Sequence, residues 1–204
     1  MGEYIQINLS DILEQLGEDR TNAILSDFSC PLNKDVEFFL HKKAIEFSKQ
    51  DLSKTHLVYY VDKTENDTIK HLVGYFTIKT KYIKLSKNAL SNGDKRKFSK
   101  HGTYDEELKK YIIPVVLIGQ LAKNYTNNSN SYITGDILLQ MALDKIRYIQ
   151  SLAGGKYVYL ECEEIPQLLS FYKRNGFRPY GKRILDGDES NLYGKYLIQL
   201  LKYL

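Results

Sequence analysis

Cysteine is scarce in this chain, and its scarcity excludes several classes of protein. Only Cys30 and Cys162 occur among the 204 residues. Two cysteines cannot form the disulfide framework of a small secreted domain, and they cannot supply the four ligands of a zinc ribbon. Because this content fits a reducing compartment, we expect a cytoplasmic protein.

Long apolar runs are missing as well. No segment approaches the ~20 consecutive apolar residues that a membrane-spanning helix requires. Acidic residues occur throughout the first twenty positions, unlike the basic start and apolar centre of a secretory signal. We therefore expect neither secretion nor a membrane partner.

The sequence also lacks the common signatures of nucleotide and metal sites. Neither GxxxxGKS/T nor GxGxxG is present, so a P-loop or a dinucleotide-binding Rossmann site has no support. We expect no metal site, because the four histidines are scattered without the spacing of metal ligands: His41, His56, His71 and His101.

The residues that are present have the composition of a globular domain. Hydrophobic residues make up 43% of the chain and charged residues 26%, which excludes a largely disordered or collagen-like chain. No internal repeat and no linker rich in Pro, Gly or Ser divides the sequence. We predict a single domain over residues 1–204.

Hydrophobic periodicity predicts a mixed α/β order. Apolar residues at helical spacing predict helices over 8–25 and 33–50. Segments 55–62 and 69–80 are rich in β-branched and aromatic residues and predict an antiparallel hairpin, followed by a polar stretch. The remaining predicted elements are a central strand over 110–122, a helix over 135–150 capped by Thr134, a strand over 156–162, a short helix over 165–173, and closing strands at Phe177 and over 197–204.

More than two-thirds of the chain resembles a known family, and the clearest pattern lies in its second half. Residues 171–177 form an F-Y-x-x-x-G-F pattern that follows the strand over 156–162. This pattern, the apolar strand over 113–122 and the helix start over 135–139 resemble the GNAT family of acetyl-CoA-dependent N-acetyltransferases. Residues 28–30 before a helix that ends near Gln50, followed by residues 53–55 at the start of a strand, are similar to the subgroup that contains the toxin acetyltransferases of toxin–antitoxin pairs. The resemblance covers roughly residues 28–183.

The resemblance implies a fold, a cofactor and a reaction. The implied fold is of the α/β (α+β) class, a mixed and mostly antiparallel central sheet flanked by helices, with a splayed pair of strands that admits acetyl-CoA. The implied activity moves an acetyl group directly to a primary amine, with Tyr172 as general acid. The implied cofactor contacts are Leu117, Ile118, Gly119 and Leu121 on the central strand, and Asn130, Ser131, Ile133, Thr134, Gly135 and Asp136 in the pyrophosphate loop and the helix start.

The pyrophosphate loop departs from the family pattern R/Q-x-x-G-x-G/A, because residues 130–135 read N-S-Y-I-T-G. Asn130 stands in place of Arg or Gln, and Ile133 in place of the first glycine. A Cβ at that position obstructs a positive φ or a close approach of phosphate. Asp136 also places a negative charge beside any pyrophosphate. We expect a rebuilt loop and an altered affinity for the cofactor.

Direct transfer from a thioester to an amine needs a polarised carbonyl and a proton for the departing thiolate, but no covalent enzyme intermediate. Backbone N–H groups of Ile118, Gly119 or Leu121 would bind the thioester oxygen, at ~3 kcal/mol per donor. The ordinary pKa of ~10 keeps a tyrosine such as Tyr172 protonated at neutral pH, as a general acid requires.

Two carboxylates at the end of the strand over 156–162 are candidates for accepting the amine proton. They are Glu161 and Glu163, and carboxylates at such positions are also commonly just solvated. Cys162 between them is more typical of a small buried hydrophobic residue than of a nucleophile.

The sequence does not identify the acceptor of the acetyl group, although one segment is strongly basic. Between residues 79 and 100 Asp94 is the one acid, against eight basic residues: Lys79, Lys81, Lys84, Lys87, Lys95, Arg96, Lys97 and Lys100. Such an excess can steer an acidic substrate such as RNA, or it can be a solvated surface. The alternatives are an acetyltransferase with a metabolite or protein amine as acceptor, a toxin-type enzyme acting on aminoacyl-tRNA, and a non-catalytic module that kept the fold. The C-terminal segment 192–204 either completes the sheet or offers an edge for a homodimer.

Overall fold

A computed structural model describes residues 2–63, 68–86, 92–187, 192 and 194–204. The first half of the chain contains β1 (Glu3–Asn8), α1 (Leu9–Ser26), α2 (Lys34–Phe38), a π-helical turn (Phe39–Lys43), α3 (Ala44–Lys49), β2 (Lys54–Lys63) and β3 (Thr68–Ser86). The second half contains α4 (Asn92–His101), β4 (Thr103–Asp105), β5 (Lys110–Lys123), a 3₁₀ segment (Thr126–Tyr132), α5 (Gly135–Ala153), β6 (Tyr157–Glu163), α6 (Pro166–Arg174), β7 (Arg178–Ile184) and β8 (Tyr196–Tyr203).

In the described part of the chain, eight strands form one mixed sheet in the order β1-β2-β3-β5-β6-β8-β7, with β4 paired to β5. Every pair of neighbours is antiparallel except β5 and β6, which run parallel. The predicted fold class, the hairpin of β2 and β3 and the central place of β5 are confirmed. The turn of the hairpin is predicted over residues 63–67, of which Lys63 ends β2 and residues 64–67 lie outside the described residues.

The parallel pair is short, and its shortness opens the sheet. Only Val116 with Val158 and Leu117 with Tyr159 are register partners between β5 and β6 in the described chain. Both strands continue beyond this point, β5 to Lys123 and β6 to Glu163. The two strands therefore diverge after Leu117, which is the splay that the resemblance implies.

Helices cover both faces of the sheet. Leu139 and Ile146 of α5 are fully buried against one face, and Tyr172 of α6 packs in the same core. Helices α1 to α3 pack on the opposite face, where Tyr75 of β3 is also fully buried, and Phe98 of α4 packs further along that face. Because side chains alternate along a strand, the central strands β3, β5 and β6 contribute to the cores on both faces.

Local sequence signals explain where several elements begin and end. The Thr134 side chain accepts a hydrogen bond from the N–H of Ile137 at 3.2 Å and caps α5, as predicted. Pro166 occupies the first turn of α6, where its missing N–H costs nothing. The chain leaves α6 through Gly176, whose φ of +82° is a left-handed conformation that glycine adopts readily.

Three sequence predictions are corrected by the structure. A strand, β1, precedes the first helix, whereas the pattern predicted two helices at the start. The helix over 33–50 is interrupted by the π-helical turn at Phe39–Lys43. The polar stretch after β3 contains α4 and β4.

The C-terminal strand completes the sheet and offers no edge. Strand β8 lies between β6 and β7 and pairs with both, so an edge for a homodimer does not exist there. Among the described residues, no helix combines the length and the apolar character needed to cross a bilayer.

Candidate active site

A cavity of about 600 Å³ lies where β5 and β6 diverge. Residues Leu117 to Lys123 of β5 line one side, Leu160 to Glu163 of β6 line another, and Tyr172 on α6 closes the wall between them. The segment around Cys30 and Val36 lines the cavity on the α2 face. The cavity thus lies where β5 and β6 no longer pair, with lining residues from both helix-bearing faces of the sheet.

The wall that β5 contributes contains a bulge. Register partners are Phe76 with Leu121 and Ile78 with Ile118, so Gly119 and Gln120 together oppose Thr77. The N–H of Gln120 donates to Thr77 Oγ1 at 2.8 Å. A Cβ on Gly119 would lie only 2.8 Å from the same oxygen, which explains why a glycine stands there. The bulge turns this stretch of main chain out of the regular ladder and towards the cavity.

All four strand residues predicted to contact the cofactor line the cavity: Leu117, Ile118, Gly119 and Leu121. Because the strand is bulged here and does not pair with β6 after Leu117, main-chain groups of this stretch are accessible to a ligand in the cavity. Their role as oxyanion donors stays a prediction.

Tyr172 is buried and lines the cavity, with 9% of its surface exposed. Its ring packs edge-on against Phe171 and Phe177, at centroid distances of 4.9 and 5.8 Å. No described residue forms a hydrogen bond with its hydroxyl. Burial raises the pKa of Tyr172 well above its ordinary value, and nearby Cys162 adds to the effect. The phenol therefore keeps its proton at neutral pH.

Glu161 is held in a network of hydrogen bonds and ion pairs. Arg183 Nη2 lies 2.8 Å from its carboxylate, and the Tyr159 hydroxyl donates to the same group. Gln199 Nε2 donates to the Tyr159 hydroxyl at 3.0 Å, and Lys81 Nζ lies 4.0 Å from Glu161. Burial alone would raise the pKa of Glu161, but the bonds from Arg183 and Tyr159 hold it below its usual value. Such stabilisation of the charged form argues against Glu161 as the proton acceptor.

Glu163 is the second carboxylate on this wall. It is 6% exposed and lines the cavity. Between the two acids, burial raises the pKa of Cys162 to about 12, and its neighbour Glu163 contributes. A thiol with so high a pKa is a poor nucleophile at neutral pH, which fits a direct transfer without a covalent enzyme intermediate.

The loop between β5 and α5 is built without the glycines of the family pattern. Asn127 and Asn128 adopt left-handed conformations, with φ of 51° and 58°, as asparagine can. Lys123 Nζ, from the end of β5, donates to the carbonyl oxygens of Asn130 at 3.1 Å and Ile133 at 3.2 Å. The loop is thus fixed from the cavity side by a lysine that itself lines the cavity.

An aromatic clamp formed by Tyr4, Tyr60, His71 and Tyr132 fixes the loop from the other side. The Tyr132 ring stacks on Tyr60 and His71, at centroid distances of 4.9 and 4.6 Å. The Tyr4 hydroxyl donates to the Tyr132 carbonyl oxygen at 2.6 Å. Tyr60 and His71 are register partners on β2 and β3, so the clamp joins the loop to the sheet.

The six predicted loop residues do not line the cavity themselves, although Lys123 connects it to two of them. The Ile133 side chain is buried in the core, which leaves only its main chain available to a ligand. Ser131 Oγ donates to the Asn128 carbonyl oxygen at 2.8 Å. A Cβ on Gly135 would lie 3.2 Å from the Phe171 ring. Gly135 therefore allows α5 and α6 to approach closely.

The negative charge of Asp136 is compensated. Arg174 Nη2 lies 2.8 Å from its carboxylate, and Asn175 Nδ2 donates to it at 2.7 Å. These two bonds lower the pKa of Asp136. The ion pair also joins the start of α5 to the end of α6, and it reduces the repulsion that the sequence led us to expect for an anion at this helix start.

Sequence reasoning missed three residues at this site. Lys123 belongs to no sequence motif. Arg183 lies on β7 and contacts Glu161 on β6 across the intervening strand β8. Asp35 of α2 lines the cavity and accepts a hydrogen bond from Gln120 Nε2 at 3.3 Å. The partners lie 85 positions apart in sequence, so no local pattern could reveal this contact.

Comparison with known proteins identifies the fold. No protein-family model and no curated protein matches this sequence. Among solved structures, AtaT complexed with acetyl-methionyl-tRNAfMet is similar over 96% of this chain and 94% of that one, with 18% identity and a TM-score of 0.59. AtaTR bound with AcCoA is similar over 98% and 94%, with 19% identity and a TM-score of 0.59. A tyrosine-to-phenylalanine mutant of KacT is similar over 97% and 94%, with 15% identity and a TM-score of 0.58. The chain therefore has the fold of these GNAT-type toxin acetyltransferases.

Proposed function

We propose that the chain, acting as a single domain over residues 1–204, is an acetyl-CoA-dependent N-acetyltransferase that moves the acetyl group directly to a primary amine. The divergence of β5 and β6 after Leu117 carries this proposal, because it leaves a cavity of about 600 Å³ with Tyr172 in its wall. That volume falls within the usual range for ligand pockets, ~300–1,000 Å³. A fold neighbour bound with AcCoA supports the choice of cofactor.

The described residues fit acetyl-CoA in two places. The stretch of β5 from Ile118 to Leu121 pairs with β3 on one side and has no register partner on β6. On that open side it would offer main-chain groups to the amides of a pantetheine arm. The N-terminus of α5 follows the loop, and its first N–H groups and helix dipole favour the pyrophosphate. Asn130, Ser131, Thr134, Gly135 and Asp136 would surround it, with Ile133 contributing main chain and Lys123 supplying the positive charge that the loop lacks.

The residues of the cavity then have distinct roles in the reaction. The amine nitrogen forms a bond to the thioester carbon, the carbon–sulfur bond breaks, and the departing thiolate takes the proton of the Tyr172 phenol. Main-chain N–H groups of Ile118, Gly119 or Leu121 bind the carbonyl oxygen as negative charge develops on it. The amine releases its proton to solvent or to Glu163, and Tyr172 regains a proton from solvent.

The test is Tyr172→Phe, which removes one oxygen that no described residue hydrogen-bonds. We expect turnover to fall by ~10²-fold or more, since general acid catalysis typically contributes that factor. The Kd for acetyl-CoA should stay within about twofold, because the ring remains in place. Tyr148→Phe is the matched control, on the exposed face of α5 with 62% exposure, and should leave turnover unchanged.

Two results would count against the proposal. Unchanged turnover in Tyr172→Phe would remove the assigned role of the phenol. A wild-type protein that gains no thermal stability from acetyl-CoA would favour the non-catalytic module, because a ligand at 100 times its Kd should add ~2.7 kcal/mol.

Aminoacyl-tRNA is a second candidate for the acceptor class. Lys79 and Lys81 of β3 lie on the sheet face that carries α2, and Lys79 lines a smaller cavity beside the bulge. An α-amine also loses its proton far more readily than a lysine, with pKa values of ~8 against ~10.4. One fold neighbour is complexed with acetyl-methionyl-tRNAfMet. Lys87, a member of the basic segment, lies outside the described residues.

Expression in a bacterial host tests this candidate. Growth arrest that disappears in Tyr172→Phe, together with acetylated aminoacyl-tRNA in mass spectra, would support a toxin-type enzyme. Acetylated metabolites or proteins with normal growth would instead support an ordinary acetyltransferase.

A further inference from the structure

A second cavity, of about 360 Å³, lies against β5 on the face that carries α2. It shares four residues with the larger cavity: Asp35, Leu117, Gly119 and Gln120. The two cavities therefore meet at the bulge, where the proposed oxyanion donors lie. An acceptor in the smaller cavity would reach the thioester at this junction.

Asp35 is held at the junction by the start of α2. The Asn33 side chain caps this helix and accepts hydrogen bonds from the N–H of Asp35 at 2.9 Å and of Val36 at 3.3 Å. The buried Tyr75 hydroxyl donates to the Val36 carbonyl oxygen at 2.6 Å and ties α2 to the sheet. The Asp35 carboxylate in turn accepts its bond from Gln120, beside the bulge.

Asp35 differs from the other carboxylates near the junction. Glu161 is paired with Arg183 at 2.8 Å, and Asp186, which lines the smaller cavity, is paired with the same arginine at 3.1 Å. Among the described residues, Asp35 has no lysine, arginine or histidine partner. A carboxylate without a cationic partner favours a cationic ligand in its place.

We propose that Asp35 binds the ammonium group of the acceptor and that the smaller cavity holds the group attached to it. This inference rests on the proposed function and adds the site and charge of its second substrate. Binding as the ammonium ion places the nitrogen beside Gly119, and loss of one proton to solvent then frees the lone pair for attack.

The remaining walls of the smaller cavity define the class of acceptor. Phe38, Phe39 and Phe47 line it, and the rings of Phe39 and Phe47 pack edge-on at 5.4 Å. Lys43 and Lys79 also line it. This combination fits a primary ammonium that carries an apolar or aromatic side group, with an anionic group near the lysines.

The experiment uses phenylalaninamide as the probe, because it joins an α-ammonium to an aromatic side group. Asp35→Asn keeps the shape of the side chain and removes its charge. We expect the KM for phenylalaninamide to rise ~10-fold or more, since a charge-assisted bond is lost. The Kd for acetyl-CoA should stay unchanged, and Asp35→Glu should restore part of the affinity.

Asp11→Asn is the matched control, because Asp11 occupies the first turn of α1 behind an asparagine cap, as Asp35 does in α2. Asp11→Asn should change neither the KM for phenylalaninamide nor the Kd for acetyl-CoA by more than twofold. Binding of phenylalaninamide measured by saturation-transfer NMR adds a readout that needs no turnover. Equal binding by wild type and Asp35→Asn, or an equal loss in Asp11→Asn, would overturn the role of Asp35.

Failure of the proposed function has a different signature. A wild-type protein that binds phenylalaninamide through Asp35 but gains no stability from acetyl-CoA would refute the acetyltransferase and keep the ammonium site. A wild-type protein that gains stability from acetyl-CoA but does not bind phenylalaninamide would refute the ammonium site alone.

Discussion

Replacing Arg183 with methionine should destabilise the fold through the charge that it leaves behind. Glu161 and Arg183 form an ion pair whose side chains are only 12% and 23% exposed. Removing one partner of such a pair typically costs ~3–5 kcal/mol, because the other charge stays buried. Lys81 at 4.0 Å and the Tyr159 hydroxyl still face Glu161, so we expect the lower end, ~3 kcal/mol.

The double variant separates this charge effect from lost packing. Glu161→Gln leaves Arg183 near Asp186 at 3.1 Å, so it should cost less, ~1–2 kcal/mol. In the double variant the buried Glu161–Arg183 pair leaves no charge behind, and Asp186, which loses the same arginine, is 72% exposed. The loss in the double variant should therefore fall short of the sum of the single losses by ~2 kcal/mol. Urea unfolding followed by circular dichroism measures each free energy, and a constant slope with urea checks that the denatured states are comparable.

The pH dependence of this coupling follows from the lowered pKa of Glu161. A carboxyl whose pKa is lower in the folded state contributes stability above its unfolded value of ~4.3, and the contribution is lost as the pH falls through the folded pKa. The coupling should therefore persist at pH 7 and fade in acid.

If the losses in unfolding free energy of the two single variants add up to that of the double variant within ~0.5 kcal/mol at pH 7, Glu161 and Arg183 are not a coupled pair. Arg147→Met is the control, because Arg147 is paired to Asp144 on the exposed face of α5, with side-chain exposures of 46% and 60%. It should cost no more than ~0.5 kcal/mol.

Three further substitutions test the loop and a buried histidine. Gly135→Val should weaken acetyl-CoA binding in calorimetry, because even a single Cβ at this position would lie 3.2 Å from the Phe171 ring and the larger valine side chain would displace the helix start. An unchanged Kd would mean that the helix start is not part of the site. Tyr132→Ala removes a ring stacked at 4.9 and 4.6 Å on two partners and should raise the KM for acetyl-CoA with little change in kcat, whereas equal constants would show that the clamp does not position the loop. Burial lowers the pKa of His56 to about 4, so the unfolded chain takes up a proton near pH ~6.5 that the folded chain refuses, and stability should fall as the pH drops from 6.5 towards 4. Between pH 7 and 4.5 the unfolding free energy of His56→Phe, measured with urea, should fall by ~2 kcal/mol less than that of the wild type. Equal decreases in the two proteins would contradict the lowered pKa of His56.

Periodicity and capping signals predicted most of the secondary structure. Thr134 and Pro166 mark the starts of α5 and α6 because their effects are local, within one helical turn. Strand β1 was missed because its residues are mostly half-buried at the edge of the sheet, where the pattern is weak. Its stability comes from its ladder with β2, whose partners lie 48 (Asn8 with His56) to 58 (Glu3 with Val61) positions away, and no local pattern contains such contacts.

The site was predictable only in part, and the reason is distance along the chain. The resemblance placed Tyr172 and the strand from Leu117 to Leu121, and both line one cavity. The departures at Asn130 and Ile133 were visible in the sequence, but the clamp that replaces the missing glycines joins Tyr132 to residues of β2 and β3. Asp35 belongs to no sequence motif. Its place at the site depends on the packing of α2 beside the bulge of β5, which the sequence does not reveal.

Hydrogen exchange with and without acetyl-CoA tests the central claim most directly. Peptides covering residues 117–123 of β5 and 134–137 at the start of α5 should gain protection, because the cofactor would cover main-chain groups at both places. Exposed segments of α1 should change little and serve as the internal reference. Protection elsewhere, with no change in these two segments, would contradict binding in the opening between β5 and β6.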